Sequence, residues 1–296
     1  MANPWDAECI VSPELAASLV AEQCPTLAGA PLRLLGAGFD NTAFLVDDTW
    51  VFRFPRRQVA VALLEAETRL LPTIAPLVPL AVPVPVHRGH PTERYPWPFA
   101  GYRHLSGHTA CALDLDDHDR ARAAPVIARF LRALHDLRDV ALEGDTIGRM
   151  EVDRRAPRAR DQLHQLAALG LIANPDRWLP IQNGPHRAPR TDTLVHGDLY
   201  ARHLVLDHHR VVSGVIDWGD AHRGDPACDL AVAHAFLPPR AHDAFRHPYG
   251  PIDDDTWALA RCRALQHQLT VVLYAHDARD RDLLREGLRA LAHLAT

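Results

Sequence analysis

A chain of 296 residues with 47% hydrophobic and 23% charged side chains is a globular protein of one large domain or two ordinary ones. A formal net charge of −5 argues against a nucleic-acid partner, because binding a phosphate backbone calls for a basic face. No run approaches the ~20 apolar residues that span a bilayer, and Met1-Ala-Asn-Pro-Trp-Asp6 lacks the basic start and apolar stretch of a signal peptide, so a cytoplasmic protein with no membrane partner is expected. The five cysteines, at positions 9, 24, 111, 228 and 262, are odd in number and show no paired metal-site spacing. They read as free thiols in a reducing compartment, with Cys228 and Cys262 in packing roles.

In chain order, Ser12, Pro13 and Glu14 form a helix start running to Leu19. Leu32–Leu35, Ala43–Val46 and Trp50–Phe54 read as three short strands, with a Gly36-Ala37-Gly38 turn and an Asp47-Asp48 turn between them. A helix is expected over Val59–Leu71, after which Pro72, Pro76, Pro79, Pro83 and Pro85 should force extended or turn structure. Phe99–Arg103 reads as a further strand, interrupted by Ser106-Gly107. Beyond it Asp114–Asp119 can cap a helix carrying Val126, Phe130, Leu131 and Leu134 at helical spacing. Glu143–Arg190 mixes a helix around Asp161–Leu169 with loops. The Asp253-Asp254-Asp255 cluster should cap an amphipathic helix through Trp257, Leu265, Leu269 and Leu273, and Leu283, Leu284, Leu288, Leu291 and Leu294 mark a last helix. Strands and one helix followed by a mainly helical remainder give an α+β chain: a small N-terminal mixed β-sheet lobe over residues 1–104 and a larger helical lobe over residues 105–296. Trp5, Trp50 and Trp97 read as packing aromatics. The 19 histidines, among them His104, His108, His164 and the His208-His209 pair, show no zinc-ligand spacing.

The most informative stretch is Val195-His196-Gly197-Asp198-Leu199-Tyr200-Ala201-Arg202-His203-Leu204, followed by Val215-Ile216-Asp217-Trp218. Phosphoryl transfer from a magnesium nucleotide asks little covalent chemistry of a protein. It needs one carboxylate for the acceptor hydroxyl and metal-facing groups beside it. Asp198, just after a His-Gly turn, suits the general base, although an aspartate after glycine also commonly bonds its own backbone in a turn. Asp217, at the end of a β-branched apolar run, suits a metal ligand. His203 is chemically less apt, since magnesium prefers hard oxygen donors.

His-Gly-Asp-Leu, the residue at 203, Ile-Asp-Trp and Gly224-Asp225-Pro226-Ala227-Cys228-Asp229-Leu230-Ala231 together resemble the aminoglycoside phosphotransferase family, from about Leu34 to Ala233. His at 203, where most members carry Asn, resembles the subgroup of 2''-aminoglycoside and macrolide 2'-phosphotransferases. The resemblance implies a two-lobed, protein-kinase-like fold and an enzyme moving the γ-phosphate of GTP or ATP, with Mg2+, to a hydroxyl of a small molecule. The acceptor would be an antibiotic such as a macrolide, an aminoglycoside or a nucleoside antibiotic. A metabolic kinase for a sugar or amino alcohol, and a catalytically weak nucleotide-binding or drug-sequestering module, remain alternatives. It also implies that His203 and Asp217 face the metal and that Arg53 stands where the family places a phosphate-contacting lysine, in a chain without any lysine. Glu67, or Glu65 if the helix register differs, would hold Arg53. Gly36 and Gly38 would admit phosphates to backbone N–H groups, and Arg103, His104 and Leu105 would meet the purine edge. Asp225 and Asp229 would anchor the catalytic loop or cap the next helix.

Overall fold

The computed structural model describes residues 7–182, 184 and 187–296; Trp5 lies outside them. The chain divides into two compact units, one of residues up to Pro76 with Ala81–Ser106, the other of Leu77–Leu80 with Gly107–Thr296.

The first unit contains α1 (Pro13–Gln23), β1 (Leu32–Ala37), β2 (Asn41–Val46), β3 (Trp50–Pro55), α2 (Gln58–Ile74), β4 (Pro85–Gly89) and β5 (Phe99–Arg103). The strands form an antiparallel sheet in the order β1-β2-β3-β5-β4. The two-residue period of β3 sends Phe52 and Phe54 to one face, where they join Phe44, Tyr95 and Phe99 and the Ala16, Leu19 and Val20 stripe of α1. Arg53 is thereby left on the opposite face. Ser12 caps α1 by accepting from the Leu15 N–H at 3.2 Å.

The second unit contains β6 (His108–Thr109), α3 (Asp117–His135), α4 (Val152–Ala168), α5 (Leu179–Gln182), β7 (Thr193–Val195), β8 (Leu204–Leu206), β9 (Val212–Val215), β10 (His222–Gly224), α6 (Ala227–Phe236), α7 (His242–Tyr249), α8 (Asp254–Asp277) and α9 (Arg281–Leu294). Leu163 and Leu166 of α4, Leu265 and Leu269 of α8, and Leu291 and Leu294 of α9 share one core. Every residue of α6 is buried within the helical unit. A buried two-point ion pair, Arg120 to Glu286 at 2.5 and 2.7 Å, ties α3 to α9. Asp116 and Asp253 cap α3 and α8 through backbone N–H groups. All five cysteines are free thiols, with Cys228 and Cys262 buried. Among the described residues no helix is long and apolar enough to cross a membrane.

Three boundaries differ from the sequence reading. β1 runs through Gly36 to Ala37, so the turn begins at Gly38, whose N–H donates to the Asn41 carbonyl at 2.9 Å. α2 passes Pro72 and ends at Ile74. Proline there removes the N–H that would have met the Thr68 carbonyl, and the Arg88 guanidinium supplies the missing donor at 2.8 Å. α4 begins at Val152, well before Asp161, because its first turns are arginine-rich and carry little apolar periodicity.

Candidate active site

In the sheet unit, register aligns the expected nucleotide-facing residues. Gly36 pairs with Ala43, and Ala43 with Arg53, so the three lie in one row across β1, β2 and β3. At the usual strand spacing this puts Gly36 roughly 10 Å from Arg53. A Cβ at Gly36 would meet no atom within 4 Å, and one at Gly38 only the Asn41 carbonyl at 3.9 Å. Arg53 Nη1 donates to Glu67 Oε2 at 2.6 Å, and Tyr102 Oη donates to Glu67 Oε1 at 2.5 Å. Glu67 is buried and Glu65 exposed, so the helix register selects Glu67. Arg103 ends β5 with its guanidinium over the Trp50 ring, 5.0 Å from the centroid. The His104 N–H is taken by the Thr49 carbonyl at 2.8 Å.

In the helical unit a two-stranded antiparallel ribbon, β7 with β10, and a small three-stranded sheet, β6-β8-β9, carry the informative motif in the loops they launch. Gly197 has φ +86°, and a Cβ there would stand 2.2 Å from the Asp220 carbonyl oxygen, so only glycine fits between His196 and Asp198. Asp229, at the start of α6, accepts from the His196 N–H at 2.7 Å, the Gly197 N–H at 2.9 Å and His135 Nε2 at 3.1 Å. Burial pushes its carboxyl up, but the His135 hydrogen bond, the nearby His196 and the backbone donor outweigh it and hold the pKa below the usual range. Asp225 anchors differently: it accepts from Arg187, from the Arg190 N–H at 2.8 Å and from the Ala227 N–H at 3.0 Å, capping α6.

Asp198, His203 and Asp217 come together. His203 Nδ1 donates to the Asp198 carbonyl at 2.7 Å and lies 3.7 Å from Asp198 Oδ2, while its Nε2 lies 3.3 Å from Asp217 Oδ2. Asp217 sits two residues past β9 with φ +65°, a left-handed conformation that aspartate tolerates better than most residues. Its neighbour Trp218 is buried, donates to the Val215 carbonyl at 3.0 Å and packs on the His196 ring. Burial alone would lower the His203 pKa, yet the Asp217 and Asp198 carboxylates outweigh it and raise it. For Asp198 burial pushes up, but His267 and His203 hold the carboxyl well below the usual range.

The sequence reading missed Asp220, Arg149 and His267. Asp220 is paired with Arg149, which also bonds Asp145 at 2.8 Å. Burial and then the Asp198 and Asp217 charges raise the Asp220 pKa. Its place three residues after Asp217 was the available signal. His267 lies on α8 with Nε2 2.9 Å from Asp198 Oδ1, and nothing in the sequence marks it among 19 histidines.

Among the described residues no group of three or more His, Cys, Asp or Glu is arranged to hold a metal; His203 and Asp217 are the pair that a divalent cation could meet. His203 has its Nδ1 proton committed to a backbone carbonyl, as metal-binding imidazoles do, and its Nε2, beside the Asp217 carboxylate, is the atom a metal could take. One imidazole and one carboxylate leave further positions for water and phosphate oxygens, as magnesium requires.

A sheet unit whose arginine is held by a buried glutamate, and a helical unit with a loop aspartate beside a His/Asp pair, are parts that phosphoryl-transfer enzymes use. The model of the Phosphotransferase enzyme family (APH) matches residues 31–265, and the chain belongs to that family. It is a kinase of the protein-kinase-like fold. YcbJ, an uncharacterized protein of Bacillus subtilis strain 168, is 29% identical over 219 residues, covering 69% of each chain. Among solved structures, the GDP and kanamycin complex of APH(2")-IIIa is 25% identical, covers 94% of this chain and 97% of that one, and superposes with a TM-score of 0.68. The macrolide 2'-phosphotransferase type I, 23% identical over 94% of this chain and 97% of its own with a TM-score of 0.60, shares the fold.

Proposed function

We propose that the protein transfers the γ-phosphate of GTP or ATP to a hydroxyl of an antibiotic-like small molecule, inactivating it. The observation that carries this reading is the loop aspartate Asp198 standing beside His203, which bridges toward Asp217. Asp198 orients the acceptor hydroxyl and receives its proton as the phosphoryl group leaves. His203 and Asp217 are the residues that would hold Mg2+. Bound there, the ion would neutralise charge on the nucleotide phosphates. Arg53, steadied by Glu67, contacts the phosphates, and the row it shares with Gly36 brings backbone N–H groups near them. Arg103, His104 and Leu105 offer the purine edge backbone groups other than the His104 N–H, which is already bonded. Residues 1–104 thus serve the nucleotide, and residues 105–296 catalysis and the acceptor.

The kanamycin seen with one structural relative supports a hydroxyl-bearing antibiotic as acceptor. Asp253 is spent on capping α8 and pairing with Arg190 at 3.0 Å, which leaves it little used for a cationic acceptor. The test is a panel of aminoglycosides, macrolides and nucleoside antibiotics offered with GTP and ATP separately, following nucleoside diphosphate release and drug phosphorylation. Phosphorylation of one drug class, with protection of a sensitive cell on expression, is the expected result. Turnover confined to sugars or amino alcohols would replace this reading with a metabolic kinase.

A further inference from the structure

His267 is placed to act on the reaction although no motif contains it. It lies in the interior of α8, and its side chain is 18% exposed. Its Nε2 stands 2.9 Å from Oδ1 of Asp198, at hydrogen-bonding distance. Its ring meets Tyr200 edge-on at 5.0 Å, and Tyr200 in turn meets His203 edge-on at 4.6 Å, so His267 is braced from the side of the catalytic loop. Its other nitrogen, Nδ1, faces Gln268 Nε2 at 3.4 Å. An amide nitrogen can only donate, so Nδ1 accepts and the imidazole proton sits on Nε2, facing the carboxylate.

The two oxygens of Asp198 therefore have different surroundings. Oδ1 has the His267 donor. Oδ2 has His203 Nδ1 at 3.7 Å, beyond hydrogen-bonding range, with that proton already given to the Asp198 carbonyl at 2.7 Å. A carboxylate acting as a base needs one oxygen aimed at the acceptor hydroxyl, and holding it in that orientation lowers the barrier.

We propose that His267 is a positioning residue for the reaction: it holds Oδ1 of Asp198 and so reserves Oδ2 for the acceptor hydroxyl. This rests on Asp198 being the base. It assigns to α8, a helix otherwise given over to packing, one end of the catalytic geometry. No proton or electron is transferred by His267 in this role.

The test compares His267→Leu, which removes the donor, with His267→Gln, whose Nε2 can present a donor at similar reach. Each full-length enzyme is assayed for GDP or ADP release from GTP and ATP, with kanamycin as acceptor and with water alone, alongside nucleoside diphosphate affinity and thermal unfolding. His267→Leu should lower kcat on the order of 10- to 100-fold, with diphosphate affinity unchanged, and His267→Gln should recover most of that loss. Unchanged kcat in His267→Leu would overturn the proposal. So would equal impairment of both variants that tracks only their loss of folded protein. Asp198→Asn in the same assay separates the two levels: if it keeps near-normal turnover the base assignment itself fails, whereas an inactive Asp198→Asn beside a fully active His267→Leu removes only the role of His267.

Discussion

Arg53 in the sheet unit and Asp198 in the helical unit are held by opposite means. Arg53 is fixed by a side chain that is itself fixed: Glu67 is wholly buried and bonded on both oxygens, by Arg53 and by Tyr102. Asp198 is carried by a loop fixed through its backbone, with His267 Nε2 2.9 Å from one carboxylate oxygen. Asp229 grips the two N–H groups preceding Asp198, and the Asp198 carboxylate is 24% exposed, that of Asp217 47% exposed. On the proposed reading, the group that only has to present charge is held by side chains, whereas the base sits on a loop pinned from behind. Its carboxylate stays open to the reaction.

The pin behind the loop is where this contrast breaks most severely. Asp229→Ala leaves two backbone N–H groups and His135 without their buried acceptor, and should cost about 3–5 kcal/mol of stability together with activity. Denaturant unfolding monitored by two probes checks the first and turnover the second. Arg53→Ala should act on nucleotide use, raising the nucleotide KM or lowering kcat on the order of tenfold or more, and should also cost stability because it takes the cation from the buried Glu67 carboxylate. Arg53→Lys should recover part of it, since charge survives while the planar fork is lost.

Acid should weaken the helical unit through His234 of α6. Burial lowers the His234 pKa from 6.5 to about 3, so the imidazole is neutral in the folded chain where the unfolded chain would be protonated. A depressed folded pKa gives a contribution that is complete above pH 6.5 and lost as pH falls from 6.5 toward 3. One proton sets a slope of about 1.4 kcal/mol per pH unit in that window. His234→Gln should flatten the pH dependence of unfolding free energy there, and an unchanged slope would show that His234 does not titrate on unfolding. The smallest effect is expected from His203→Asn. An amide oxygen can take over a cation ligand, so turnover should fall less than tenfold while magnesium dependence persists. Loss of all activity would make His203 a partner of the aspartates rather than a ligand.

Much of this arrangement was legible because local chemistry and long-range placement coincide in it. His-Gly-Asp and Ile-Asp-Trp are dictated by short loops between small ribbons, where Gly197 has no substitute and Trp218 must be buried. The Arg53 partner could be narrowed to Glu65 or Glu67 from periodicity, but only the burial of one helix face chooses between them. Pro72 misled the reading because the compensating donor, Arg88, comes from a strand that sequence proximity does not reveal. His267 was illegible for the same reason. It reaches Asp198 from 69 residues further along the chain, and the acidic cap and leucines that announce α8 do not say which of its side chains meets the loop.

The most direct test of the central claim is single-turnover transfer of labelled γ-phosphate from GTP or ATP by wild type and Asp198→Asn, with nucleotide affinity and folding measured on the same samples. The account predicts a loss on the order of 10² to 10⁴ in the transfer rate at unchanged affinity and stability. Near-normal transfer by Asp198→Asn would contradict it.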